Sequence, residues 1–157
     1  MKMRAVFIGR FQPFHKGHLA VVKKMSRKYR LIILIGSTNR KSGENPFPAN
    51  LRKKMIRAAL KDARIKNVRI VAMPDTKGDK LWTKKFLELT KNPDMVITGN
   101  PWVARCLKDT GVKFLKIKEK GRKISATKIR AAMRAGKPWQ NMAPKAVVKI
   151  ISRYPFK

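Results

Sequence analysis

Gly9-Arg10-Phe11-Gln12-Pro13-Phe14-His15-Lys16-Gly17-His18 decides how this chain is read. The apolar run before it, Ala5-Val6-Phe7-Ile8, predicts a buried first strand, and Leu19-Ala20-Val21-Val22 after it predicts the start of a helix. A strand, a glycine-containing turn and a helix N-terminus form an anion site, because free backbone N–H groups and the helix dipole converge on one spot. Here two imidazoles and the Arg10 guanidinium are added at that spot. So many donors fit a polyphosphate undergoing reaction better than a merely bound anion. His15 and His18 also have the spacing of half a metal site, or could be two unconnected structural histidines. They are the only histidines, Cys106 is the only cysteine and Asp+Glu number eight, so ligand supply argues against a metal centre.

Outward from this stretch the chain alternates. Ala5–Ile8, Leu31–Ile35, Val68–Ala72, Met95–Ile97 and Phe114–Ile117 are short apolar runs that predict buried strands. His18–Lys28, Ala49–Ala63, Leu81–Leu89 and Trp102–Lys108, between them, have helical spacing. The expectation is an α/β fold: a Rossmann-like, doubly wound parallel sheet of about five strands, with ligands at the carboxyl ends of the strands. Ser125–Ala135 and Lys145–Ser152 predict C-terminal helices split by Gly136-Lys137-Pro138. All 157 residues fit one domain. Gly43–Pro48 is the most loop-like interior stretch, either a mobile active-site loop or an ordinary surface loop.

The apolar fraction, 43%, is that of a globular protein, and no apolar run is long enough to span a membrane. One cysteine allows no internal disulfide, and the expectation is a cytoplasmic protein without a membrane partner. The charge is extreme: 40 Lys+Arg against 8 Asp+Glu, a net +32. Such a charge attracts nucleic acid non-specifically and steers anionic substrates. The cations are spread along the chain, in Lys23-Lys24, Arg52-Lys53-Lys54, Lys84-Lys85, 116–123 and Lys145, whereas a dedicated nucleic-acid module concentrates them.

Ile124-Ser125-Ala126-Thr127-Lys128-Ile129-Arg130 is the second informative segment. Ser125 or Thr127 suits a helix N-cap, and with Arg130 would form another anion site. Alone this is only a capped basic helix. Together, His15-Lys16-Gly17-His18 and Ile124–Arg130 resemble the HxGH and Ile-Ser-x-Thr-x-x-Arg signatures of the nucleotidyltransferase superfamily. Gly36-Ser37, Asn45-Pro46-Phe47, Pro74-Asp75 with Leu81-Trp82, and Thr98-Gly99-Asn100-Pro101 follow in the order seen in the archaeal nicotinamide-mononucleotide adenylyltransferases, and the resemblance runs from Arg4 to about Ile151.

The resemblance implies transfer of AMP from ATP to nicotinamide mononucleotide, with Mg²⁺ accompanying ATP and a homo-oligomeric assembly. It implies catalytic roles for His15, His18 and Arg10. It implies ATP contacts from Gly9, Arg10, Phe11, His15, Gly17, His18, Gly99, Asn100, Ser125, Thr127 and Arg130, with Lys16 facing phosphates and Arg105 near the adenosine. Gly36, Ser37, Arg52, Asp79 and Trp82 fall to the mononucleotide, Arg52 receiving its phosphate and Trp82 stacking on the pyridine ring. Asp79 stands where the family has Asn; a carboxylate touching the ring substituent would favour a carboxamide over a nicotinate. Lys24-Met25-Ser26-Arg27-Lys28 resembles the Lys-Met-Ser-Lys-Ser loop of class I aminoacyl-tRNA synthetases but falls in the helix after HxGH, where Met25 continues the apolar stripe.

Other readings remain open from the sequence: pantetheine-phosphate adenylyltransferase, FMN adenylyltransferase, cytidylyltransferase, or a basic nucleic-acid-binding protein on this fold. The charge has a consequence under all of them. Self-repulsion at +32 is strongest when unscreened. The thermal unfolding midpoint is therefore expected to rise as salt is raised from low concentration; a flat or falling midpoint would contradict this.

Overall fold

A computed structural model describes residues 2–117 and 123–155. Lys118, Lys120 and Arg122 of the basic run, and Phe156, lie outside the described residues. Five strands, β1 (Arg4–Gly9), β2 (Arg30–Ile35), β3 (Arg69–Ala72), β4 (Met95–Thr98) and β5 (Lys113–Lys116), form one parallel sheet in the order β3-β2-β1-β4-β5. The helices are α1 (Lys16–Ser26), α2 (Ala49–Asp62), α3 (Asp79–Thr90), α4 (Pro101–Leu107), α5 (Ala126–Arg134) and α6 (Lys145–Ser152).

The central runs lack polar alternation because both faces of the sheet are covered there; the expected buried strand at Phe114–Ile117 is instead the edge strand β5, with Lys113, Phe114 and Lys116 exposed. Successive strand residues point to opposite faces. Ala5, Phe7, Leu31, Ile33, Ile35 and Ile97 pack with Val22 and Met25 of α1, Met55 and Ile56 of α2, Ile129 of α5 and Val147 of α6. Val6, Ile32, Leu34, Val71 and Val96 pack with Trp82 and Phe86 of α3 and Val103 and Leu107 of α4. The chain thus winds one way through β1, β2 and β3, then returns to place β4 beside β1, where Val6 pairs with Val96. The carboxyl ends of β1 and β4 diverge at this switch point, which is where such sheets open a crevice for ligands.

Local chemistry moves several boundaries from their expected places. α1 begins at Lys16, two residues before His18, because His15 is its N-cap. α3 takes in Asp79, whose carboxylate sits in the first turn, where the helix dipole favours it. Lys24, Met25 and Ser26 end α1, with Met25 in the core. The 43–48 loop is neither free nor purely surface: the Gln12 amide donates to the Phe47 carbonyl at 3.0 Å and accepts from the Phe47 N–H at 2.9 Å, with both side chains buried.

Candidate active site

The two histidines build their own turn. His15 Nδ1 accepts from the N–H groups of Gly17 (3.0 Å) and His18 (3.3 Å), satisfying donors left free at the start of α1. His18 Nδ1 accepts in return from the His15 N–H at 3.1 Å, closing a capping box made of imidazoles. The rings stack 3.6 Å apart. With both Nδ1 atoms accepting, each neutral ring carries its proton on Nε2. Gly17 is required by this arrangement, since a Cβ there would lie 2.9 Å from the His15 ring. Gly9 is required too, but chiefly by the protein: its Cβ would meet the Phe11 ring at 2.9 Å. Phe11 is held at a left-handed φ of 54°, a costly backbone for an aromatic residue, with its ring buried against Phe7, Phe14 and His18.

A cleft of about 270 Å³ lies over the switch point. Gly9, Arg10, Gly17 and His18 line it from the β1–α1 turn, Gly36 and Ser37 from the end of β2, and Thr98, Gly99 and Asn100 from the end of β4. Trp82, Trp102, Val103 and Ile117 complete its walls with Asp75. Thr98 Oγ1 accepts from the Asn100 N–H, and Asn100 Oδ1 caps α4 by accepting from the Trp102 N–H at 2.9 Å. The structure thus gathers Gly9, Arg10, Gly17, His18, Gly36, Ser37, Trp82, Gly99 and Asn100 from the sequence reading into one place.

Other expected residues support the cleft without lining it. His15 and Phe11 are buried beneath the turn and do not line the cleft. Arg52, expected to receive the mononucleotide phosphate, also lies outside the lining of the cleft. Its guanidinium is wholly buried and donates to the carbonyls of Arg10 (2.8 Å) and Gly36 (2.9 Å), binding the first two strand-end loops together from below. No carboxylate pairs with it among the described residues, and burial, then the charge of Arg10, pushes it down to about 10. It therefore places a positive charge beneath the strand-end loops rather than in the lining of the cleft.

Arg130 makes a similar contact, donating to the Gln12 carbonyl at 2.8 Å and so tying α5 to the same turn. Burial, and then Arg134, lowers its pKa. Ser125 is the N-cap of α5, accepting from the Lys128 N–H, whereas Thr127 is exposed. Lys16 is exposed at the start of α1.

The tryptophan wall has a partner that sequence reading missed. Trp82 is buried, stacked on Phe86 at 5.2 Å and edge-on to Trp102 at 5.0 Å. The Trp102 indole N–H donates to Asp79 Oδ1 at 3.1 Å, so Asp79 holds the wall from outside the cleft. Asp75 was also missed as a site residue: it lines the cleft, accepts from the Ser37 hydroxyl at 2.9 Å and pairs with Arg40. Its position in the Pro74-Asp75 pair was the signal available.

Residues 6–132 match the cytidylyltransferase-like family model. The fold, the HxGH turn and this match define a nucleotidyltransferase. Within that class the chain belongs to the nicotinamide-nucleotide adenylyltransferase family. It is 41% identical over 151 residues to that enzyme of Thermoplasma acidophilum, covering 94% of this chain and 84% of the relative. It is also 41% identical over 155 residues to that of Ignicoccus hospitalis, covering 95% and 91%. Among solved structures, the bifunctional NMN adenylyltransferase/ADP ribose pyrophosphatase of Francisella tularensis shares the fold, with a TM-score of 0.79 at 24% identity. That match covers 97% of this chain and 49% of the bifunctional protein, so the chain spans about half of the latter's length.

Arg52→Ala is expected to orphan the Arg10 and Gly36 carbonyls, at about 1–3 kcal/mol each. The expected outcome is a lower unfolding midpoint and a fall in kcat/KM for both substrates. A stable variant with only a raised KM for the mononucleotide would restore the phosphate-receiving role.

Proposed function

We propose that this cleft transfers the adenylyl group of ATP to nicotinamide mononucleotide, giving NAD and pyrophosphate. The observation that carries the reading is His18, which lines the cleft with its Nδ1 accepting from the His15 N–H, at the N-terminus of α1 and over the β1/β4 switch point. An oxygen of the mononucleotide phosphate attacks the α-phosphorus of ATP in line. The bond from that phosphorus to the bridging oxygen breaks, and pyrophosphate carries away the electron pair. The attacking phosphate is already ionised, so no side chain need act as a nucleophile. The protein supplies position and positive charge.

His18 Nε2–H, Arg10 and the α1 N–H groups stabilise the charge that develops around the α-phosphorus, where preorganised donors are most effective. Gly99 and Asn100 adjoin the adenosine, with Ser125, Thr127 and Arg130 toward the β- and γ-phosphates. Gly36, Ser37 and the Trp82–Trp102 wall take the mononucleotide. The polar hollow at Ser37 and Asp75 suits hydroxyl donors of a ribose. Among the described residues no three His, Cys, Asp or Glu converge to hold a metal, so Mg²⁺ enters as a companion of ATP, held by phosphate oxygens and water. One solved structure of the Francisella tularensis protein is complexed with AMP and a Mn ion.

The test is pyrophosphate release with ATP and Mg²⁺ against nicotinamide mononucleotide, nicotinate mononucleotide, phosphopantetheine and FMN in parallel. Turnover is expected with nicotinamide mononucleotide, and His18→Ala is expected to lower kcat by about 100-fold or more with little change in KM. Turnover with phosphopantetheine or FMN alone would refute the substrate assignment, and a purely KM effect would remove His18 from the transition state.

A further inference from the structure

Arg64, Ile65 and Lys66 lie where two open hollows meet. One, of about 1070 Å³, runs past the end of α2 and the start of β3, with Arg57, Lys61 and Arg69 on its rim. The other, of about 420 Å³, continues to Lys23 and Arg27 at the end of α1. Both open at the amino ends of the strands, the end of the sheet opposite the cleft. Among the described residues, seven cationic side chains line this continuous groove and no carboxylate does. The hollow between α2 and α6, equally rich in lysine, contains Asp62. The helix dipole explains Lys23 and Lys61, which stand in last turns, but not Arg57, Arg64, Lys66 or Arg69.

The floor of the groove is apolar, formed by half-buried Ile65, Val68 and Ile70 beside Leu60. We propose that this groove binds single-stranded nucleic acid, with phosphates on the cationic rim and bases against the aliphatic floor. Charge complementarity selects a polyanion. The floor selects a chain with apolar faces over inorganic polyphosphate, since only bases gain from covering Ile65, Val68 and Ile70. A membrane surface fits poorly: among the described residues the exposed large hydrophobic side chains are Met3, Leu81 and Phe114, all outside the groove, so nothing apolar projects here for insertion. The binding is separate from catalysis, because none of the groove residues lines the cleft.

The test is fluorescence anisotropy of a labelled single-stranded oligonucleotide titrated with the protein across a salt series. The informative variant is Arg64→Gly combined with Lys66→Ala. Arg64 sits at φ 55°, a backbone that glycine adopts without strain, so the exchange removes a cation while leaving the turn intact or firmer. The expected results are binding about tenfold weaker at low salt, a log–log salt slope shallower by about 1.4 for two lost phosphate contacts, and an unchanged rate of NAD formation. The charge-matched pair Lys84→Ala and Lys85→Ala, on the exposed side of α3, is expected to bind nearly as wild type. No binding, an equal loss in both double variants, displacement of the oligonucleotide by saturating Mg²⁺-ATP, or tighter binding to phosphatidylserine vesicles would each overturn the proposal.

Discussion

The cleft depends on two imidazoles acting as hydrogen-bond acceptors toward the backbone. His15 Nδ1 takes the N–H groups of Gly17 and His18, and His18 Nδ1 takes that of His15. This single constraint sets where α1 starts, why residue 17 has no side chain, and which nitrogen of His18 accepts from the backbone. It also requires neutral rings, because a proton on either Nδ1 would eject its backbone donor, and two imidazolium rings 3.6 Å apart would repel. The HxGH pattern is thus a structural unit before it is a chemical one: His15 orients, Gly17 makes room, and His18 is presented.

Around that unit, the buried Arg52 and the half-buried Arg130 act as braces. Arg52 joins the β1 and β2 loops through the carbonyls of Arg10 and Gly36, and Arg130 joins α5 to the β1 loop through Gln12. Gln12 in turn holds Phe47. Segments far apart in sequence are locked to one turn by side-chain-to-backbone bonds, which satisfy the carbonyls of Arg10, Gln12 and Gly36. The only carboxylate lining the cleft among the described residues, Asp75, is paired with Arg40, so the cleft keeps a positive field suited to two phosphorylated substrates.

Most of the architecture was legible because both periodicities were clean. Buried strands such as Leu31–Ile35 have no polar alternation, and helices such as Ala49–Ala63 carry one apolar stripe. The cleft was legible where function is written in adjacent residues, as in Gly9–His18 and Thr98–Asn100. It was less so where a role depends on which way a side chain turns. Arg52 looks like an anion receiver in sequence, yet it points inward under the loops. Trp102 and Asp75 do not stand out as site residues in the sequence because their value comes from partners, Asp79 and Trp82 for the first, Ser37 and Arg40 for the second, that only the folded sheet brings near. Phe11 reads as part of the nucleotide turn but belongs to the core, since its left-handed backbone folds the ring back over Gly9.

The most direct measurement of the central constraint is the tautomeric state of the histidines at neutral pH. As the chain has only His15 and His18, long-range ¹H–¹⁵N correlation spectra of the ¹⁵N-labelled protein will contain two imidazole patterns. Both are expected to show a protonated Nε2 and an unprotonated Nδ1. A protonated Nδ1 on either ring would contradict the reciprocal cap and, with it, the donor that His18 offers to the reacting phosphate.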